Sequence, residues 1–438
     1  MKKVSSSFQS ARSVRKFYII LSVLLGVVGF FRCCLFVQGE NWVDFPGQWR
    51  ICAYTLSGYD PYACVGVTPA PIEYIGVIPL GWGTSPWGCL LGNLFYPGFL
   101  AFETAKAYFI LIHFCFLFFT TWYLHSHIKT KMNSFSFYAL LISLSSLNFF
   151  AAFFNGNAGG LICSLLLVSC LSYRDYPVFT GVLLGFAMTK PQSTMLVCYA
   201  LLLQKRWKPV AIAAMVDAGA FAMVSFLTKT PVITLACEFL SSNTGNGHQF
   251  SGIFTLLFPN ESRAAMLCSM FTGIVFVTIF HRIWPKDTFS AFRLYPALVA
   301  STFWSYTWNN DNYMLVLPAL ICVWIMLQTS EFLKALFWSL ASLYCGFTHI
   351  SMRAINLALK ILYLVLPGEY NPSWLSKTIY ELGLIVLSIL LIIYLRNYAG
   401  DDDVKIGQRN RSFIDSIKRR YSQMCDEFRR RTQRILIN

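Results

Sequence analysis

Charge is what this sequence has least of. Only 13% of its 438 residues are Asp, Glu, Lys or Arg, while 56% are hydrophobic; a water-facing domain carries about 25% charge. A chain this poor in charge cannot coat a soluble globule, and its apolar runs approach the ~20 residues that cross a bilayer. No stretch between those runs is long and polar enough to fold as a soluble domain. Cys-x-x-Cys pairs of metal-ligand spacing are also absent. Most of the 14 cysteines, among them Cys115, Cys163, Cys170, Cys198, Cys268 and Cys322, sit inside apolar runs, where cysteine behaves as a small hydrophobe. There is no acidic cluster suited to a divalent cation, so neither a metal nor another cofactor is expected. The net charge of +15 is spread between apolar runs, not gathered into a patch with interleaved aromatics, which argues against nucleic acid as a partner.

What is present is a series of apolar segments: Phe17–Val37, Thr104–Leu124, Phe135–Phe154, Ala158–Tyr173, Pro177–Thr189, Pro191–Gln204, Lys208–Thr228, Ala264–Ile283, Ala291–Trp308, Asn312–Gln328, Glu331–His349 and Ile379–Leu395. They predict an all-α integral membrane protein of about 12 transmembrane helices. Several are shorter than a bilayer. Ile355–Leu366 is too short to cross and is expected to lie in the external interface or to re-enter, uncounted. Cytoplasmic loops should hold the lysines and arginines. With both termini inside, 26 of the 35 fall on that side. The expected organisation is a cytoplasmic basic N-terminus (1–16), a multi-spanning domain (17–396) with a long first extracytoplasmic loop (38–103), and a cytoplasmic basic tail (397–438). In that tail Ile414, Ile417, Tyr421, Met424 and Phe428 recur at three- and four-residue steps among basic residues. This is the pattern of an amphipathic helix on an anionic leaflet.

Polar residues that interrupt membrane segments are costly and point to function, and here they collect outside. In the first loop Asp44 precedes Phe45, Trp49, Cys52 and Leu56, an apolar stripe of an interfacial helix; an ordinary N-cap explains an aspartate there equally well. Gly58 ends that helix, and Tyr59-Asp60-Pro61-Tyr62 reads as a turn whose aromatics suit the interface or stacking on a sugar. Asn155-Gly156-Asn157, Lys190-Pro191-Gln192 and Asn309-Asn310-Asp311-Asn312 each join two spans on the same side. Turn formation and snorkelling account for each alone. Together they form a constellation in which Lys190, far from any acidic neighbour in sequence, suits a phosphate anion, with Arg32 in the outer third of the first span as a second cation. Cys52, Cys64 and Cys89 share the external loop, either as a disulfide pair or as unpaired thiols.

The order of these elements resembles the polyprenyl-phosphate-mannose-dependent mannosyltransferases, glycosyltransferase family 87, of the multi-spanning GT-C class. The resemblance rests on Asn155-Gly156-Asn157, Gly181 to Gly185, Lys190-Pro191 and Lys205-Arg206-Trp207, and upstream on Asp44, Gly58-Tyr59-Asp60-Pro61-Tyr62 and Phe95-Tyr96-Pro97. Downstream, Gly247-His248-Gln249-Phe250-Ser251-Gly252 is similar to the family's polar external loop. Two departures stand out: Gly98 replaces the second proline of a Tyr-x-Pro-Pro element, and the Asp311 segment lacks an expected histidine. The resemblance implies a GT-C-like fold and a polyprenyl-phosphate-linked sugar donor, a mannose or a pentose. The acceptor would be a glycan or glycolipid, and membrane lipid the surroundings. It implies inversion with Asp44 as general base and Lys190 and Arg32 on the donor phosphate. Asn157, Gln192, His248, Gln249, Tyr59, Asp60 and Asp311 would serve sugar or acceptor binding. A flippase of lipid-linked sugars would share the spans, but no internal repeat of the transporter kind is visible. An O-antigen ligase or polymerase uses external arginines, of which only three besides Arg32 occur here.

Overall fold

The structure is a computed structural model. It describes residues 2–37, 44–62, 84–128, 136–144, 155–244, 262–284, 290–303, 309–365 and 372–399, with positions 153, 254, 257 and 258 between them; the side chains of 2–10, 12, 29–30, 32–37, 241–244, 262–263, 290–291, 309–311, 349, 362–365, 372–374 and 397–399 are not described. Among the described residues all regular structure is helical. The first helices are α1 (Lys2–Val37), α2 (Asp44–Leu56), α3 (Pro86–Leu91), α4 (Phe102–His127), α5 (Gly159–Ser172), α6 (Pro177–Ala187), α7 (Pro191–Leu203) and α8 (Trp207–Thr228). There follow α9 (Val232–Thr244), α10 (Ser262–Ile283), α11 (Tyr295–Ala300), α12 (Val316–Gln328), α13 (Phe332–Gly346), α14 (Thr348–Val365) and α15 (Pro372–Ala399).

Four helical stretches are long and apolar enough to cross a membrane: Phe102–His127, Trp207–Thr228, Ala264–Ile283 and Leu375–Arg396. The architecture is that of an all-α membrane protein. The other apolar helices are short, and each break has a local cause. Pro177 and Pro191 open α6 and α7 at the first helical position, where the missing N–H costs nothing. The segment expected as one span from Ala291 is instead a 3-10 turn at Ser290–Leu294 followed by α11, six residues long. The segment expected from Asn312 opens with a 3-10 stretch, Asn309–Leu315, before α12. The apolar run that begins at 355 belongs, as far as Val365, to an 18-residue helix, α14, which packs against α15.

The core is built on helices that are apolar all round. Every residue of α5 is buried, as are most of α12, as expected of central helices. By contrast α8 is apolar yet largely exposed, as a helix bordering lipid would be. It meets α6 where side chains vanish: a Cβ at Gly181 would lie 2.6 Å from Ile212 Cβ, and one at Gly185 2.8 Å from Val216 Cβ. Backbones therefore approach closely, as small residues permit between membrane helices. Hydrogen bonds tie helices distant in sequence: Tyr18 to Ser342 (2.7 Å), Tyr199 to Thr278 (2.8 Å), and Ser388 to Tyr295 (3.0 Å).

Candidate active site

The site is assembled where α2 begins. Phe45 is buried and its ring lies 5.6 Å from Tyr96, 5.6 Å from Phe102 and 5.2 Å from Phe109, which anchors the first turn of α2 to α4. Of the expected stripe, Phe45, Trp49 and Cys52 are buried whereas Leu56 is exposed. The turn at 155–159 then closes over that end. Asp44 N donates to Asn155 O at 2.8 Å, and Gly156, at φ +65°, packs so tightly that a Cβ there would meet Phe45 Cβ at 2.5 Å. Tyr96 ties the same turn from behind, its hydroxyl donating to Gly156 O (3.2 Å) and accepting from Ala158 N (2.6 Å).

On this scaffold one carboxamide joins two charged groups. Asn157 Nδ2 donates to Asp44 Oδ2 at 2.7 Å, while Asn157 Oδ1 accepts from Lys190 Nζ at 2.6 Å and from Gly159 N at 2.8 Å. Lys190 sits at the junction of α6 and α7 at φ −119° and ψ 83°, outside the helical region that a following proline disfavours. Its turn is held by Thr194, whose hydroxyl donates to Ala187 O (2.8 Å) and Lys190 O (3.2 Å), and by Trp87 of α3, whose indole N–H donates to Met188 O (2.8 Å). Asp44, Asn157 and Lys190, read from three separate segments, thus meet. A carboxylate, an amide and an ammonium so placed can accept a proton at one end and neutralise an anion at the other.

Residues 89–245 match the model of glycosyltransferase family 87. The match takes in Tyr96, Asn157 and Lys190 and begins after Asp44. It supports a glycosyltransferase, and with the apolar helices a membrane one. No curated protein and no solved structure matches the chain.

Other expected residues lie apart or outside the described set. Asp60 is at the far end of α2, where its Oδ1 accepts from Tyr62 N (2.9 Å) and its Oδ2 from the Thr230 hydroxyl (2.9 Å). Tyr62 donates to Thr84 O (2.6 Å), and Thr84 donates to Gln48 Oε1 (3.0 Å), so this group laces the first loop to the turn after α8. Burial, and then the neighbouring Asp60 carboxylate, push the Glu238 carboxyl of α9 up from its ordinary value. Tyr59 is 44% exposed beside Tyr54. Gln192 is half-buried in the first turn of α7. Asp311 lies in the 3-10 stretch that packs on α5, its side chain not described; the Arg32 side chain is likewise not described, and His248, Gln249 and Cys64 fall outside the described residues, as does the tail from 400 onward. Cys52 and Cys89 are unpaired, buried thiols, and burial pushes Cys89 up to about 12. Among the described residues no three His, Cys, Asp or Glu side chains converge as a metal site would need. Tyr96 and Trp87 are the supports whose role residue-by-residue reading missed; Tyr96 lay in a motif, but its hydroxyl bridges a turn 60 residues away.

Proposed function

We propose that this protein transfers a sugar, mannose or a pentose, from a polyprenyl phosphate to a glycan or glycolipid acceptor on the extracytoplasmic face, with inversion at the anomeric carbon. The observation that carries the reading is the placement of Asp44 and Lys190 at opposite ends of the Asn157 amide. An inverting displacement needs a base for the incoming hydroxyl and a cation for the departing phosphate. The acceptor oxygen attacks the anomeric carbon and its proton passes to Asp44. The bond from that carbon to the phosphate oxygen breaks, and its electron pair leaves on polyprenyl phosphate, whose growing charge Lys190 stabilises. Arg32 would add a second cation. Gln192, Tyr59, Asp60, Asp311, His248 and Gln249 remain the candidates for sugar and acceptor hydroxyls. The proposed setting is a GT-C-like domain over 17–396, with both termini cytoplasmic and the 397–438 tail on the opposite face from the site.

The test is incubation of the purified protein with a panel of polyprenyl-phosphate sugars, followed by mass spectrometry. One donor should be consumed. Asp44→Asn should then lower turnover by ~10²–10⁴-fold, the usual contribution of a general base, while donor binding survives. Asparagine caps a helix about as well as aspartate, so a purely structural Asp44 would tolerate the change. Lys190→Gln should weaken donor binding and turnover together. Wild-type turnover by Asp44→Asn would send the search for the base to Asp60 and Asp311.

A further inference from the structure

We infer that Asn157 is a positioning residue for this chemistry, a one-amide bridge that sets the orientation of the Asp44 carboxylate and of the Lys190 ammonium relative to each other; the inference rests on the roles proposed for those two residues. The amide orientation is over-determined. Its oxygen faces two donors, Lys190 Nζ and Gly159 N, and its nitrogen faces a carboxylate oxygen. A flipped amide would put oxygen against carboxylate and N–H against ammonium. Only one rotamer state satisfies all three neighbours, and that state directs a donor at Asp44 and an acceptor at Lys190.

Two consequences follow from simple electrostatics. An N–H donated to a carboxylate favours its charged form, so the bridge holds Asp44 ready to accept a proton. The same bridge restrains a lysine whose four-carbon stem is otherwise free to rotate, and places its ammonium on the oxygen end of an amide whose nitrogen end holds the carboxylate. The surroundings make this bridge a built feature. The turn carrying Asn157 is clamped through Asp44 N, Gly156 and Tyr96, and Lys190 through Thr194 and Trp87. Other ionisable groups on the elements packed here include Arg50 and Tyr54, buried on α2, Tyr96 behind the turn, Glu103, Lys106 and Tyr108 on α4, and His113 on α4, whose ring lies beside the Asn157 backbone.

The rival explanation is that Asn157 only holds the turn before α5 through its bond to Gly159 N. Asn157→Ser separates the two, because a serine hydroxyl makes the same kind of bond to the backbone two residues on but is too short to join Asp44 to Lys190. A positioning role predicts that Asn157→Ser keeps the wild-type melting temperature, loses about 10²-fold in kcat, and shifts the acid limb of kcat/KM to higher pH. Asn157→Asp keeps an oxygen for Lys190 and Gly159 but opposes a second carboxylate to Asp44. Its acid limb should move further up, since two carboxylates in contact cannot both ionise freely, while KM for the donor changes less than kcat. An infrared titration gives a readout independent of turnover, with the Asp44 carboxyl band assigned by difference from Asp44→Asn. In Asn157→Ser that band should protonate at higher pH than in the wild type. An unmoved band overturns the inference whether or not a donor has been found, and a wild-type protein that consumes no donor sinks the transferase reading while the infrared arm still decides the bridge.

Discussion

At Gly156 the chain turns left-handed, φ +65°, directly against the first residues of α2. An L side chain there meets a conformational cost and a steric one together, since its Cβ would also lie 2.9 Å from Phe45 N. Gly156→Ala should therefore destabilise the protein by roughly 2–4 kcal/mol, and should lower turnover in whatever fraction still folds, because the displaced turn carries Asn157. Thermal unfolding in detergent beside single-turnover assays checks both, and an unchanged melting temperature would show that the turn relaxes freely. The types of these residues were legible in the sequence: an aspartate opening a helix, an Asn-Gly-Asn turn, a lysine before proline. Their pairing was not. Asp44 and Asn157 are 113 positions apart, and nothing in local periodicity records which of several turns closes on which helix. Asp60, assigned from the sequence to sugar or acceptor binding, has oxygens that accept from Tyr62 N and the Thr230 hydroxyl, partners that its local sequence does not disclose.

Among elements, the pairing of α6 with α8 depends on two glycines one helical turn apart. Gly185→Leu should force the helices apart and cost about 1–3 kcal/mol or more. Gly219→Ala, on α8 where an added Cβ meets nothing within 4 Å, should be neutral or stabilise by up to about 1 kcal/mol. Equal effects in thermal unfolding would contradict the close approach. The contact between the first loop and α9 should depend on pH. Glu238 is pushed above its ordinary value in the folded protein by burial and by Asp60, so the folded state binds more protons than the unfolded one between those two values. Its stabilising contribution is then complete below the ordinary carboxylate value and is lost as pH rises through the folded one. Glu238→Gln should flatten that part of the stability profile; a profile identical to wild type would remove Glu238 from the contact. Apolar runs revealed most of these helices, because a bilayer demands them. The breaks were less legible: the 3-10 stretch at Asn309–Leu315 and the division of α13 from α14 at Phe347 occur inside apolar sequence, where hydropathy carries no signal of a bend.

For the whole molecule the register of α6 on α8 determines the depth of the site. Gly181 faces Ile212 and Gly185 faces Val216, so the two helices run in the same direction, and continuing that register brings Lys190 level with Phe221. Trp87 agrees independently: it bonds Met188 O and its ring lies 6.2 Å from Phe221. Phe221 is seven residues short of the end of α8 at Thr228, about 10 Å along a helix of 1.5 Å rise. Lys190 therefore lies about 10 Å short of the Thr228 end of a helix long enough to span the bilayer. On the proposed function, that depth would let a lipid-borne phosphate reach Lys190 while its tail stays in hydrocarbon. Impermeant maleimide labelling in a background without reactive native thiols tests both side and depth. Tyr59→Cys, at an exposed position on the first loop, should label quickly from outside. Trp207→Cys, at the other end of α8 and 63% exposed, should label only from the cytoplasm. Lys190→Cys should label from outside but more slowly than Tyr59→Cys, because reagent must reach that depth. Equal rates at positions 59 and 190 would refute the depth. Labelling of position 190 from the cytoplasm alone would invert the chain in the membrane and, with it, the side on which Asp44 and Lys190 could meet a donor.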